Sequence, residues 1–215
     1  MLQTIKLAKT KIKIMQKNAI HTRLPLRFRM VVLVTIFCFC CSVSAFSSDD
    51  DTQLWEMLKS GEHLALLRHA IAPGTGDPPQ FELGQCATQR NLSEEGRDQA
   101  EKIGDRFHEQ GINNAQVYSS QWCRCMETAK LLGLGSVEEL AALNSFFQRY
   151  ERRESQTRML FEWIARQNLD RPIVLVTHQV NITALTGIYP ASGELVIVHR
   201  SSTGDITTIG SIKTR

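Results

Sequence analysis

The first thirty residues contain no acidic side chain, yet they carry Lys6, Lys9, Lys11, Lys13, Lys17, Arg23, Arg27 and Arg29. The apolar run that follows, Met30–Cys41, is about 12 residues long, short of the roughly 20 that a membrane-spanning helix needs. Val43-Ser44-Ala45 then offers small residues to a signal peptidase. A basic start, a short apolar core and a small-residue exit are the pattern of an export signal. Bulky Phe39 and Cys40 precede Cys41, which does not suit a lipoprotein box. We therefore expect a leader over residues 1–45 and one domain over residues 46–215, facing the periplasm or another exported compartment. An uncleaved signal anchor is the alternative, in which case the leader alone meets the membrane. Met15 and Met30 are alternative starts. The chain has no internal repeat and no low-complexity linker.

The basic surplus vanishes once the leader is set aside. Eight of the 25 basic residues fall in residues 1–30, leaving 17 against all 22 acids, a formal net of −5. A nucleic-acid partner would call for a basic domain, so none is expected. About 170 residues suffice for one domain around a single core. Cys38, Cys40 and Cys41 belong to the apolar leader segment, which leaves Cys86, Cys123 and Cys125. No histidine follows the Cys-x-Cys pair at finger-like spacing, so a metal site ranks below a disulfide. Cys123 and Cys125 flank Arg124 and point roughly 100° to either side of it on a helix. One disulfide is expected, from Cys86 to Cys123 or to Cys125, with Cys123 preferred because Cys125 suits the packed side. Three reduced, packed thiols are the alternative.

Strands and helices alternate along the rest. Asp49 to Ser60 has helical spacing (Leu54, Trp55, Leu58), and Glu62 to Leu67 reads as the first core strand. Ile71 to Asn91 is a long loop rich in glycine and proline, and such loops in compact domains are usually functional. Ser93-Glu94-Glu95 starts a helix with a capping hydroxyl and two carboxylates, and Ala100, Ile103, Gly104 and Phe107 form its buried stripe. A short strand at Val117-Tyr118, a helix from Trp122 to Leu132 and a strand from Val137 to Leu143 are expected next. Arg153 to Gln167 reads as a helix with Met159, Leu160, Trp163 and Ile164 inward. Ile173 to Val176 has the apolar, β-branched make-up of a central parallel strand. A short helix around Ile182–Leu185 and an antiparallel pair, Glu194–His199 with Asp205–Ile212, close the chain. The expected fold is an α/β three-layer sandwich, its central sheet mostly parallel with helices on both faces.

The chemistry concentrates at three strand ends. Leu64-Ala65-Leu66-Leu67 runs into Arg68-His69, the 115–118 strand into Ser119-Ser120-Gln121-Trp122-Cys123-Arg124, and Ile173-Val174-Leu175-Val176 into Thr177-His178. Open α/β sheets build sites at the carboxyl ends of their strands, so two imidazoles and two guanidiniums would share one crevice. A neutral imidazole is a good nucleophile for phosphorus once its second nitrogen is held by an acceptor. Arginine forks bind phosphoryl oxygens in pairs, which lysine cannot do. His63, His108 and His199 read as structural, and Arg90 as a solvated charge or a structural pair, with substrate binding the lesser alternative.

These segments resemble the histidine phosphatase superfamily, the phosphoglycerate-mutase-like group. The resemblance rests on Leu67-Arg68-His69, Leu92-Ser93-x-x-Gly96 with Ala100, Tyr118-Ser119-Ser120-x-x-x-Arg124-x-x-x-Thr128-Ala129, and Val176-Thr177-His178, in the family's order. It implies a catalytic set of His69, Arg68, Arg124 and His178. His69 would be the nucleophile, phosphorylated in the reaction, with Arg68, Arg124 and His178 binding the phosphoryl group. No metal and no cofactor is implied, and the partner is a small phosphorylated substrate. The chain is similar in layout to an exported member that acts on a phosphorylated envelope sugar. Ala70 and Gln179 stand where the family usually has glycine. The proton donor is not fixed by the motif: Glu151 and Asp77 are candidates, with Glu154 near the first. The alternatives are an idle phosphate-binding module of the same fold, a phosphomutase, and a thiol- or metal-based protein built on the three cysteines.

Overall fold

A computed structural model describes residues 48–214; the expected leader lies outside the described residues. Helix α1 (Ser48–Lys59) leads into β1 (His63–Arg68), followed by the long loop with a single 3-10 turn at Cys86–Thr88. Then come α2 (Glu94–Glu109), β2 (Gln116–Ser119), α3 (Cys123–Leu131) and β3 (Val137–Glu139). Two 3-10 turns, Ala141–Leu143 and Tyr150–Arg152, precede α4 (Arg153–Ala165), β4 (Ile173–Thr177) and α5 (Gln179–Thr186). Strands β5 (Leu195–Arg200) and β6 (Ile206–Ile212) end the described chain.

The six strands form one sheet in the order β3-β2-β4-β1-β5-β6. Pairs β3/β2, β2/β4 and β4/β1 are parallel, while β5 runs antiparallel to both β1 and β6. The continuous apolar runs now have their reason. β1 lies between β4 and β5, with Ala65 opposite both Val174 and Ile197, so neither edge is open, and Leu64 to Leu67 are buried on both faces. Alternate residues serve opposite layers. Ala65, Leu67, Val174 and Val176 pack with Trp55, Ile103, Phe107 and Ala129 on one side. Leu64, Leu66, Ile173 and Leu175 pack with Leu143, Leu160, Ile164 and Ile182 on the other. The result is the three-layer sandwich, parallel in its centre.

Two local expectations are corrected. The third strand stops at Glu139 instead of Leu143, because it is the sheet edge and Glu138 and Glu139 are exposed there. Short, charged edge strands resist pairing with another chain. The chain then leaves the edge and turns Ala142 and Leu143 into the core. On α4 the buried stripe is Gln156, Leu160 and Ile164, four residues apart. Met159 is 50% exposed and Trp163 only half-buried, its ring set edge-on against Tyr118. Gln156 turns inward because its amide donates to the carbonyls of Ala141, Ala142 and Asn144, which a methionine could not do.

The Leu92-Ser93-x-x-Gly96 motif also has a physical cause. Ser93 caps α2 by accepting from the Gly96 amide at 3.1 Å, and Glu94 and Glu95 face the positive end of the helix dipole. A Cβ on Gly96 would lie 2.0 Å from the carbonyl oxygen of Ile71, so the helix can approach the post-β1 loop only without a side chain there.

Candidate active site

Strands β1, β2 and β4 are neighbours and end at the same edge of the sheet, so His69, Ser120 and His178 emerge side by side. The His69 and His178 rings are 5.5 Å apart at 69°. They line a crevice of about 140 Å³ together with Arg68, Arg90, Arg124 and Asp77. A larger groove, about 690 Å³, is lined by Arg153, Glu154, Arg158 and Phe161 among others but contains no histidine. Convergent charge, and not volume, marks the site.

His69 is buried, and its backbone amide donates to the Thr177 carbonyl at 3.0 Å, tying the end of β1 to the end of β4. Its Nδ1 sits 2.8 Å from the Ala70 carbonyl oxygen, an acceptor, so Nδ1 carries the proton and Nε2 keeps its lone pair. Burial, and next the positive charge of Arg124, hold its pKa well below 6.5. The ring is therefore neutral at pH 7, as a nucleophile needs. Thr128 explains the Arg124-x-x-x-Thr128 spacing. One turn along α3, its hydroxyl accepts from the Ala70 amide at 3.1 Å and donates to the Arg124 carbonyl at 2.7 Å. It joins the nucleophile's turn to the arginine's helix.

His178 is held the other way round. Arg124 Nη2 is a donor 3.5 Å from its Nδ1, which must accept, so Nε2 donates to Ser120 Oγ at 2.8 Å. Ser120 in turn donates to Asn144 Oδ1 at 3.2 Å, which also accepts from the Gln121 amide. Burial and Arg124 depress the His178 pKa as well. Two histidines kept neutral in the fold, against 6.5 when unfolded, make stability depend on pH in a definite sense. Below pH 6.5 the unfolded chain binds protons that the folded chain refuses, so stability is full above that value and falls as the pH drops beneath it. Urea midpoints are expected to decrease from pH 7 to pH 5; an increase would contradict the assignment of neutral rings.

Arg124 is 2% exposed. Its Nη1 and Nη2 meet the two carboxylate oxygens of Asp77 at 2.6 and 3.2 Å, and Nη1 also donates to the Arg90 carbonyl at 3.2 Å. Trp122 Nε1 donates to Asp77 Oδ2 at 2.9 Å. Burial opposes the ionised carboxyl, but the hydrogen bonds and charge of Arg124 outweigh it and keep the pKa below 3.8. Arg68 is steered by the connection between α5 and β5, its Nη1 donating to the Pro190 carbonyl at 2.8 Å.

The structure brings together His69, Arg68, Arg124, His178 and Asp77, and it leaves out Glu151. That residue is on the exposed turn Tyr150–Arg152, outside the crevice lining. Glu154 is exposed as well and belongs to the larger groove. Asp77 is the one acid among the crevice-lining residues. Arg90 takes the structurally paired alternative. It is not a solvated charge but lines the crevice, donating to the Gly76 carbonyl at 2.8 Å and to that of Ala72. Burial and the nearby Arg124 push its pKa down to about 10. Ser120 and Asn144, which carry His178, were not anticipated; Ser120 stands in the quoted motif, but Asn144 had no signal. Gln179 lines the crevice as an amide, its Nε2 donating to Thr183 at 2.8 Å.

A disulfide joins Cys86 to Cys123, spanning 37 residues, and Cys125 stays a buried free thiol. Burial raises that thiol's pKa to about 12. Two of the three cysteines are thus unavailable to a metal, and among the described residues no group of His, Cys, Asp and Glu is placed to hold one. The bridge fastens the long loop to the first turn of α3, where Gln89 Oε1 accepts from the Cys123 amide at 3.0 Å. Reducing it is expected to cost roughly 3–4 kcal/mol of stability, from the loop-closure entropy of about 37 residues. Denaturant unfolding with and without reductant measures this, and unchanged midpoints would refute it.

Comparison with known proteins agrees with this geometry. Residues 64–158 match the family model of the histidine phosphatase superfamily (branch 1). That stretch carries Arg68, His69, Asp77, Arg90 and Arg124 and stops short of His178. A 74-residue stretch is 32% identical to the mitochondrial serine/threonine-protein phosphatase Pgam5 of Drosophila willistoni, covering 34% of this chain and 23% of that relative. Among solved structures, the protein histidine phosphatase SixA complexed with tungstate superposes with a TM-score of 0.52 at 14% identity, over 71% of this chain and 97% of that one. A phosphoserine phosphatase mutant of Entamoeba histolytica in complex with phosphoserine gives 0.52 at 15% identity, over 71% and 98%. At such identities the two structures speak for the fold alone. The fold and the ordered motifs agree with the family match, which places residues 64–158 in the histidine phosphatase superfamily (branch 1).

Proposed function

We propose that this protein is an exported, metal-independent phosphatase that hydrolyses a small phosphomonoester through a phosphohistidine at His69, with envelope phosphosugars as the substrate class. One observation carries the reading: a neutral imidazole with a free Nε2 faces a crevice walled by three guanidiniums. Phosphoryl transfer needs chiefly positioning and charge around the equatorial oxygens. Arg68 and Arg124 supply these, His178 holds Arg124 in position, and Arg90 adds a third cation that the motif did not assign. His69 Nε2 forms a bond to phosphorus as the bond to the ester oxygen breaks, and Asp77 gives that oxygen its proton. Water then attacks the phosphohistidine, Asp77 takes the water's proton, and the P–N bond breaks to release phosphate. A covalent intermediate divides one hard displacement into two easier ones.

The lining favours an organic, hydroxylated leaving group: Thr75, Ser145, Gln179, Phe147 and Tyr189 are part of it. That fold relatives were solved with tungstate and with phosphoserine also favours a small phosphorylated substrate. Export rests on the basic, apolar and small-residue pattern of the first 45 residues.

Purified protein treated exhaustively with EDTA is expected to keep its activity on a general phosphomonoester, since side chains provide the positive charge. Loss of activity restored by zinc would overturn the metal-independent reading. The idle module is favoured by one observation, the Asp77 carboxylate bound to Arg124. Such a module would bind phosphate and release none from an ester.

A further inference from the structure

Asp77 is placed where a substrate should be. Its two oxygens meet the two Nη atoms of Arg124 at 2.6 and 3.2 Å, the same paired contact that an arginine makes with two phosphoryl oxygens. The side chains are 3% and 7% exposed, so little else can reach those nitrogens while the carboxylate stays. Trp122 Nε1 closes the third side. The loop that delivers Asp77 is anchored just before it, where Arg90 Nε donates to the Gly76 carbonyl at 2.8 Å, but Asp77 itself is held more lightly. Its backbone amide and carbonyl meet only the exposed Gln148 side chain, at 3.4 and 3.3 Å. Gly74 and Gly76 next to it adopt positive φ of 93° and 70°, conformations that glycine enters and leaves without steric cost.

We propose that Asp77 is the resident occupant of the phosphoryl seat on Arg124, that the incoming phosphate ester displaces it, and that this exchange turns it from the arginine's counter-ion into the acid of the reaction. The inference rests on the crevice being the phosphatase site. A dianionic phosphoryl group and an ionised carboxylate cannot share the same two nitrogens without strong like-charge repulsion. The phosphoryl group carries the greater charge and gains the neighbouring Arg68 and Arg90 as well. Asp77 then loses its guanidinium partner and lies half-buried beside an anion, and both changes favour its protonated form. It takes a proton from solvent, hands that proton to the departing ester oxygen, and returns to Arg124 as phosphate leaves. Its return helps to expel product, so the free protein should hold inorganic phosphate weakly.

Titration calorimetry with inorganic phosphate, compared between the wild type and Asp77→Asn, tests the exchange without turnover. Asparagine keeps the size and an acceptor for Trp122 but removes the competing charge. The variant is expected to bind phosphate at least 10-fold more tightly, while its kcat on an alkyl phosphomonoester falls at least 10-fold. Equal or weaker phosphate binding by a folded variant would overturn the proposal and make Asp77 a permanent positioning partner of Arg124. A wild-type measurement guards against a variant that does not fold. Trp122 emission should change as phosphate breaks its bond to Asp77, and Trp122→Phe should abolish that change; no change at saturating phosphate would overturn the exchange. Tighter binding by Asp77→Asn in a protein that hydrolyses no ester would leave the seat intact and sink the phosphatase reading. The reverse result would sink the exchange alone.

Discussion

Replacing His69 with alanine is expected to lower kcat by at least about 10,000-fold, since losing a nucleophile removes the covalent route itself. The fold should survive, because the ring is held by one backbone carbonyl and the strand behind it by two neighbouring strands. Phosphate binding should persist through Arg68, Arg90 and Arg124. The measurement is steady-state turnover of a general phosphomonoester, with circular dichroism on the same preparation. Residual activity above roughly one per cent in a folded variant would exclude His69 as the nucleophile. His178→Ala tests a different role. Its ring aligns Arg124 on one side and rests on Ser120 on the other, so turnover should fall heavily while some phosphate binding remains.

Arg124→Lys should be nearly as damaging as Arg124→Ala, with kcat/KM down about 100- to 1,000-fold, the usual cost of removing one preorganised donor group. The site asks for a planar fork. Two Nη atoms must meet two oxygens, and Nη2 must also donate to His178 Nδ1. A lysine ammonium keeps the charge but cannot satisfy these directions together. Retention of a third or more of the wild-type kcat/KM would show that charge alone suffices and that the fork geometry is incidental.

The parts of the site legible from sequence share one property: each is fixed by a neighbouring regular element. Arg68, His69 and His178 follow runs of apolar residues that can only be central strands, and Arg124 begins a helix closed by Gly133. Pattern then determines position. Asp77 and Arg90 lie on a loop without periodicity, and their place depends on where that loop folds back. Glu151 and Asp77 were therefore equal candidates until the path of residues 71–91 was known. The role of Arg90 stayed open between a solvated charge, a structural pair and a substrate contact because nothing local reveals that the carbonyls of Ala72 and Gly76 curl around it. The misread end of β3 and the outward Met159 have a related cause. Edge position and a buried glutamine are tertiary facts that override local hydrophobic spacing. The fold class escaped this difficulty because six strands, three of them almost wholly buried (β1, β4 and β5), alternating with helices leave few arrangements.

The order of the strands has a consequence for how the molecule comes into being. β1, which carries the nucleophile, takes its hydrogen bonds from β4 and β5, both encoded far down the chain. No early stretch can complete the reaction centre by itself, however well its helices form. During synthesis the arginine helix and its bridging cysteine exist well before the strand that will seat His69 has partners. Such distant pairing is slow compared with local helix formation. The growing chain therefore passes through a period in which its most reactive groups are present but not assembled. Chemical competence arrives late and all at once, when the final third inserts β4 and adds the closing hairpin.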